Sequence, residues 1–271
     1  MIKLTFINLL FMGYFFAALL SPYFIRFLSQ EKITGVNYQG EVVPLAGGLI
    51  FVASLLSAGL FLQFVTGQQP LELIYLTIGI LAISMLGLLD DLVGNGENRG
   101  FKGHIRKLAE GKLTTGGLKA IGGGIISLYL VLPFSQNWVE IITNSFLVAL
   151  AINTINLLDL RPGRAIKGFF TGLIVIFAFG NLHQLMVVGI VAGITLAYLP
   201  YDFKAKIMMG DTGSNALGLA LGLTMVWGLP FTGKLLGLSI LVAIHIVAEI
   251  YSISKLIEQS PVLRLLDKLG R

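Results

Sequence analysis

The residues best placed to do chemistry in this chain are carboxylates that stand where long apolar runs end. The segment LGLLDDLVGN (86–95) places Asp90 and Asp91 directly after an apolar run from Ile74 to Leu89. Neither lipid nor a dry protein core accepts a bare carboxylate cheaply. This pair is therefore expected to face water at a membrane surface, to contact a cation, or both.

A second segment combines amide and acidic side chains at a regular spacing. In NTINLLD (153–159), Asn153, Asn156 and Asp159 recur every three residues. That spacing keeps them close to one face of a helix. The pattern is typical of a polar site at a helix end, although hydrogen bonding between helices is an open alternative for the two asparagines.

The third segment, MMGDTGSNALG (208–218), places Asp211 before a helix predicted to begin near Gly213. Free N–H groups at a helix start favour an anion, and Mg²⁺ is typically held by one or two carboxylates together with substrate phosphates. The three segments therefore predict a site for a metal and a diphosphate, with four aspartates around one ion. A plain helix cap at Asp211 and a solvated helix end at 90–91 remain alternatives.

Composition places these motifs in a membrane protein. Hydrophobic residues make up 55% of the chain and charged residues 12%, whereas soluble domains carry about a quarter charged residues. Mean hydropathy is +0.86. The absence of cysteine excludes disulfides and a thiolate nucleophile. The net charge of +5 is explained by its placement beside apolar runs, so no nucleic-acid partner is expected.

Apolar runs long enough to span a bilayer, about 17–25 residues, recur along the whole sequence. They predict an all-α, polytopic membrane protein of about nine transmembrane helices in a single domain, residues 1–271. The first run is longer than the apolar core of a cleaved signal. The expected spans are 4–25, 45–65, 71–89, 114–132, 138–157, 166–182, 184–200, 213–229 and 233–254.

The basic residues indicate how these helices are oriented. Of the 19 Lys and Arg residues, all but Lys3, Lys119 and Lys234 fall in alternate connections. Because positively charged loops stay in the cytoplasm, the N-terminus is expected outside and the C-terminus inside. The second cytoplasmic segment contains GHIRKLAEGKL (103–113), whose mixed apolar and basic residues predict an interfacial helix. The expected cytoplasmic segments are 26–44, 90–113, 158–167, 201–212 and the tail 255–271.

Four motifs in this order resemble the polyprenyl-phosphate N-acetylhexosamine-1-phosphate transferases. GEVVPLAGGL (40–49) is similar to the family's early loop ending in Pro-x-x-Gly-Gly, and Asp90-Asp91 to its paired aspartates. NTINLLD is similar to its Asn-x-x-Asn-x-x-Asp, and GDTGSNALG to its Gly-Asp-x-Gly-Ser-x-x-x-Gly. The family includes the phospho-N-acetylmuramoyl-pentapeptide transferase of peptidoglycan synthesis and enzymes of teichoic acid and O-antigen synthesis.

The resemblance implies transfer of a sugar-1-phosphate from a nucleotide-sugar, expected to be UDP-linked, to polyprenyl phosphate in cell-envelope glycan synthesis. The reaction would take place on the cytoplasmic face of the plasma membrane with Mg²⁺, or Mn²⁺ in its place, and a homodimer is a possible assembly. The implied catalytic residues are Asp90, Asp91 and Asp159, the implied metal ligands Asp211 and Asn156, and the implied substrate-binding residues Asn153, Lys119, Gly210 and Ser214.

The sequence also departs from the family's pattern. After Asp159 the family usually has Gly-x-Asp-Gly-Leu, whereas this chain has LRPGR (160–164). The family's His-rich loop is missing, with SPVLRLLDKLGR in that region, and the usual Lys of the early loop is not obvious. We therefore expect Arg161 and Arg164 to bind the donor's diphosphate instead, with ordinary positive-inside charge as the alternative.

These departures leave two classes of function open. One is an active phosphoglycosyl transferase with a changed donor. The other is a non-catalytic relative that binds polyprenyl phosphate after losing donor recognition. A transporter is disfavoured, because no clear pair of broken helices carries charge at mid-membrane.

Overall fold

The computed structural model describes residues 5–94, 114–181 and 185–269. Over these ranges the chain is almost entirely helical, so the expected all-α class is confirmed. A two-stranded antiparallel hairpin, β1 (Thr34–Val36) and β2 (Val42–Pro44), was not predicted. The interfacial helix expected at 103–113 lies outside the described residues.

Nine long helices in the described ranges occupy the nine expected positions, with ends that differ by a few residues. Two short helices follow them at the C-terminal end. The bounds are α1 (Phe6–Gln30), α2 (Leu49–Thr66), α3 (Leu71–Val93), α4 (Thr115–Val131), α5 (Trp138–Leu158), α6 (Arg164–Phe179), α7 (Val188–Phe203), α8 (Gly210–Gly228), α9 (Phe231–Ile250), α10 (Ile253–Gln259) and α11 (Pro261–Lys268).

Six of the described helices are long and apolar enough to cross a membrane: α1, α2, α3, α5, α9, and α4 extended by a 3₁₀ turn to Phe134. The chain is therefore a polytopic membrane protein. Helices α6 and α7 have 16 residues each, about 24 Å at 1.5 Å per residue. Nine complete spans and the orientation of the termini stay predictions.

Helix α8 forms the centre of the bundle, and every residue from Thr212 to Gly228 is buried. It packs chiefly on α3 and α5. Glycines bring the backbones together at both contacts, because a Cβ at Gly87 of α3 would overlap the Asp211 carbonyl group, and a Cβ at Gly218 would crowd the Ile152 backbone of α5. The start of α8 therefore lies directly against the end of α3.

The loop after the hairpin also holds the start of α8. The Met208 N–H donates to the Pro44 carbonyl (2.8 Å), and the Gly47 N–H donates to the Met208 carbonyl (3.0 Å). The Gly48 N–H donates to the Met209 carbonyl (3.0 Å). The Pro-x-x-Gly-Gly motif thus fixes the entry to α8 through main-chain hydrogen bonds.

Helices α1 and α7 lie against each other at two glycines. A Cβ at Gly13 of α1 would overlap the carbonyl oxygen of Ile190, and a Cβ at Gly193 of α7 would overlap the carbonyl oxygen of Leu10. Small residues of this kind let membrane helices approach closely. This contact lies on elements that do not carry the aspartate motifs.

Replacing Gly193 by alanine should destabilise the protein by about 1–3 kcal/mol, because the obstructing atoms are backbone and cannot move aside easily. Thermal unfolding of the purified protein in detergent should show a lower midpoint. Gly124→Ala on α4 is the matched control, since a Cβ there meets no atom within 4 Å. Equal midpoints for the two variants would contradict the close approach of α1 and α7.

Candidate active site

The structure brings the four predicted aspartates to one end of the helix bundle. Asp90 and Asp91 lie in the last turn of α3, and Asp211 lies in the first turn of α8. Asp159 is the C-terminal cap of α5, where its N–H donates to the Asn156 carbonyl (3.1 Å). Three separate motifs therefore meet, as their common position at helix ends predicted.

Asp91 caps the start of α8 from the neighbouring helix. Its Oδ1 accepts from the Asp211 N–H (2.8 Å). Its Oδ2 accepts from both the Thr212 N–H (3.0 Å) and the Thr212 hydroxyl (2.6 Å). The prediction that α8 begins near Gly213 is wrong by one turn, because this cap lets the helix begin at Gly210. The anion at the helix start is a carboxylate of the chain itself.

Gly210 has a structural reason to be glycine. Its φ is +69°, a left-handed conformation that side chains disfavour. A Cβ at this position would also lie 2.5 Å from Oδ2 of Asp91. Gly210, predicted to bind substrate, is thus explained by the turn into α8 and by the approach of Asp91.

The Asp211 side chain is held by partners from two other helices. Its Oδ1 accepts from Nδ2 of Asn156 (2.6 Å), and its Oδ2 forms an ion pair with Nζ of Lys119 on α4. The carboxyl group of Asp90 lies beside that of Asp211 and near Thr115. Two neighbouring carboxylates repel each other, so a cation beside them is favoured, and Lys119 supplies one at Asp211.

The amide of Asn156 is oriented by two acceptors. Its Nδ2 donates to Asp211 and to the Ser214 hydroxyl (3.0 Å), and this hydroxyl donates to the Gly210 carbonyl (3.0 Å). The side-chain oxygen of Asn156 is thereby left as the atom able to face a cation. Asn153, one turn earlier, is exposed.

A further carboxylate, Asp202 near the end of α7, was not predicted as part of the site. It is buried, and its Oδ2 accepts from the N–H of Gly163 (2.6 Å) in the turn between α5 and α6. Burial raises the pKa of Asp159 well above its usual range, and the charges of Asp202 and Asp211 raise it further. Asp202 carries the same signal as the predicted aspartates, since it too stands near the end of an apolar helix.

The two arginines of the altered segment have different surroundings. The Arg161 guanidinium lies 4.9 Å from the ring centre of Tyr38 in the hairpin turn. Arg164 is buried, and its Nε and one terminal nitrogen bind the two oxygens of Asp267 at 2.6 and 3.0 Å. Its other terminal nitrogen donates to Ser254 (2.8 Å). The prediction that Arg164 binds a diphosphate is therefore not supported, because its guanidinium is held by the C-terminal segment.

Among the described residues, no group of three or more His, Asp or Glu side chains is arranged to hold a metal ion. The expectation of four carboxylates around one ion is not met, because the Asp91 oxygens cap α8. A smaller donor set fits Mg²⁺: the Asp90 and Asp211 carboxylates and the Asn156 oxygen are hard ligands, and Mg²⁺ commonly takes one or two carboxylates with phosphates and waters. The Lys119 ammonium already occupies a cationic position beside Asp211.

Comparison with known proteins agrees with this arrangement. The profile described as glycosyl transferase family 4 matches residues 73–229, which include all four aspartates. A phospho-N-acetylmuramoyl-pentapeptide-transferase of Clostridium botulinum (strain Eklund 17B / Type B) is 30% identical over 80% of this chain and 72% of its own. One of Clostridium beijerinckii is 32% identical over 79% and 71%, and one of Streptococcus equi subsp. zooepidemicus is 29% identical over 80% and 72%.

The apolar helices and these similarities together identify a membrane-embedded phosphoglycosyl transferase. The chain belongs to glycosyl transferase family 4, in its group of polyprenyl-phosphate hexosamine-1-phosphate transferases.

The two adjacent aspartates should respond differently to amide substitution. Asp91→Asn should lower the thermal unfolding midpoint, because an amide cannot accept from all three donors at the start of α8 and leaves at least one buried donor unpaired, at a cost of about 1–3 kcal/mol. Asp90→Asn should leave the midpoint unchanged or raise it, because it relieves the repulsion between two neighbouring carboxylates. Thermal unfolding in detergent without divalent cations measures both. A larger loss for Asp90→Asn would overturn the assignment of Asp91 as the cap.

Proposed function

We propose that the protein transfers a sugar-1-phosphate from a UDP-sugar to polyprenyl phosphate, giving polyprenyl-diphospho-sugar and UMP. The proposed setting is the cytoplasmic face of the plasma membrane, in the synthesis of a cell-envelope glycan. The observation that carries the proposal is the grouping of Lys119 and Asn156 around the Asp211 carboxylate, with Asp90 beside it. Such a set binds a cation and phosphate groups together.

The reaction needs little assistance from a general base. A phosphate monoester has a second pKa near 6, so the lipid phosphate is largely a dianion at neutral pH and already nucleophilic. The larger requirement is stabilisation of the negative charge that develops on the departing UMP. When bound, Mg²⁺ would supply that stabilisation and orient the two phosphate groups.

The residues of the chain divide this task. Asp211 and Asp90, with the oxygen of Asn156, would hold the metal. The ammonium of Lys119, beside Asp211, would bind a phosphate oxygen of a substrate. Asp91 holds the start of α8 and thereby positions Asp211. Asp159 lies close enough to Asp202 and Asp211 for their charges to raise its pKa, and we place it beside the nucleotide.

The altered segment at 160–164 bears on which nucleotide-sugar the protein accepts. Arg161 is half-buried beside Tyr38, so a cation and an aromatic ring lie next to each other between the hairpin and the α5–α6 turn. We propose that Arg161 binds the donor's diphosphate and that the Tyr38 ring is available for stacking with a base. The relatives named above act on a phospho-N-acetylmuramoyl-pentapeptide, and the replacement at 160–164 suggests a different sugar for this chain.

The direct test uses purified protein with undecaprenyl phosphate, Mg²⁺ and a panel of nucleotide-sugars. Release of nucleoside monophosphate, with formation of the lipid-linked sugar, identifies the donor. Removal of divalent cations with EDTA should abolish release, and Mg²⁺ or Mn²⁺ should restore it. No release from any donor, with the lipid phosphate still bound, would instead identify a non-catalytic binding protein.

Asp211→Asn should lower the turnover number by about 100-fold or more, because metal stabilisation of the leaving group is worth several kcal/mol. Monophosphate release with the accepted donor measures the effect. Glu72→Gln is the matched control, since Glu72 lies in the first turn of α3, at the opposite end from Asp90. Wild-type turnover in Asp211→Asn would exclude Asp211 as a metal ligand.

Arg161→Ala should raise the KM for the nucleotide-sugar about tenfold, since one charge-assisted contact to a phosphate is worth about 1.4 kcal/mol or more. Its unfolding midpoint should stay close to that of the wild type. Arg164→Ala should lower the midpoint, because it leaves Asp267 without its bidentate partner. Initial rates over a range of donor concentrations and thermal unfolding distinguish the two roles. An unchanged KM in Arg161→Ala would remove Arg161 from the donor site.

A further inference from the structure

The C-terminal helix α11 has two chemically different faces. Val262, Leu265 and Leu266 follow the spacing i, i+3 and i+4, which places them on one side of the helix, and Leu269 follows at its C-terminal cap. Arg264, Asp267 and Lys268 lie on the other side.

The apolar side of α11 is not covered by the rest of the described chain. The exposed fraction is 67% for Val262, 66% for Leu265, 49% for Leu266 and 55% for Leu269. Four large apolar side chains on about two turns of helix would be costly in water. An apolar medium or a partner must therefore meet this side.

Two basic residues of α6 hold the polar side of α11. Asp267 receives the bidentate contact from Arg164. The ammonium of Lys167 donates to the carbonyls of Leu266 and Asp267, each at 2.9 Å, at the C-terminal end of the helix. These contacts hold α11 at the start of α6, next to the turn that follows Asp159.

The end of α9 and the contact with Arg164 both indicate the depth of α11 relative to the membrane surface. Helix α9, a candidate membrane span, ends at Ile250, and α10 begins three residues later. Ile246 and Ile250 are 56% and 65% exposed, and Tyr251 next to them is 58% exposed. Tyrosine at the end of a span is typical of the headgroup region. The chain therefore enters α10 at the membrane surface, and Arg164 holds α11 near the same level.

We propose that α11 lies in the membrane interface, with Val262, Leu265, Leu266 and Leu269 inserted among the lipid acyl chains. The occupant of its apolar side is the lipid surface at the end of the bundle that carries the aspartates. Arg264 and Lys268 face the headgroup phosphates, which suits the basic polar side of an interfacial helix. Ile246 and Ile250 at the end of α9 are exposed as well, so lipid is expected to cover both helices.

The contacts of α11 also connect the lipid surface to the α5–α6 turn. Asp267 connects a helix held by the lipid surface to Arg164 at the first position of α6, immediately after the α5–α6 turn. The same turn donates the Gly163 N–H to Asp202. The lipid surface and the candidate site are therefore joined through a short series of direct contacts.

Because the chain has no cysteine, single labels can be placed on α11 cleanly. Leu265→Cys and, as the matched control on the opposite side, Lys268→Cys would each carry an environment-sensitive fluorophore in the full-length protein reconstituted in nanodiscs. Lipids with brominated acyl chains should quench the label at 265 by about half and shift its emission to the blue. The label at 268 should respond instead to aqueous iodide. Unchanged unfolding midpoints confirm that both labelled proteins are folded.

Two outcomes would overturn the proposal. Iodide quenching of the 265 label as strong as that at 268 would place the apolar side in water. A blue-shifted 265 label that brominated lipid does not quench would show that protein covers it, and dilution to one chain per nanodisc would identify a second copy by releasing the shift. The readout does not involve turnover, so it stands apart from the test of the proposed function.

Discussion

Three hydrogen bonds into one carboxylate join the last turn of α3 to the first turn of α8, and the arrangement of the site depends on this join. Asp91 accepts from the Asp211 N–H and from both donors of Thr212. A carboxylate at a helix start is favoured by the unpaired N–H groups and by the helix dipole. Asp91 therefore caps α8 from another helix, whereas an ordinary cap residue directly precedes its own helix. Because Asp90 is next to Asp91 in the chain, this cap also brings Asp90 beside Asp211.

The positions of the long helices followed from the sequence, because in a membrane protein the apolar run and the helix have the same length. The β1–β2 hairpin did not follow from the sequence, because strands of three residues are too short to show an alternation of apolar and polar residues. That the aspartates of the three motifs lie at one end of the bundle was also predictable, because ionisable groups beside apolar helices are costly and tend to gather at helix ends. The separate contacts of each aspartate were not predictable, because they depend on the distance between α3 and α8. Gly87 permits that close approach, since a Cβ there would overlap the Asp211 carbonyl group.

Partners distant in sequence account for most of what the sequence did not predict. Arg164 and Asp267 are 103 residues apart, and nothing in the local pattern of either shows the other. The local sequence offers the same two explanations for Arg161 and Arg164, donor binding or positive-inside charge, whereas the structure gives the two arginines different neighbours. Asp202 is a different case, since its place near a helix end carried the same signal as Asp159 and could have been included on that ground.

The entry to α8 is held by hydrogen bonds whose donors and acceptors are all main-chain atoms, from Pro44, Gly47 and Gly48 to Met208 and Met209. Such bonds do not depend on which side chains the neighbouring positions carry. Side-chain substitutions in the turn of the hairpin should thus leave the position of the loop relative to the aspartates unchanged. The hairpin turn can therefore vary in its side chains while the start of α8, and Asp211 with it, stays in place.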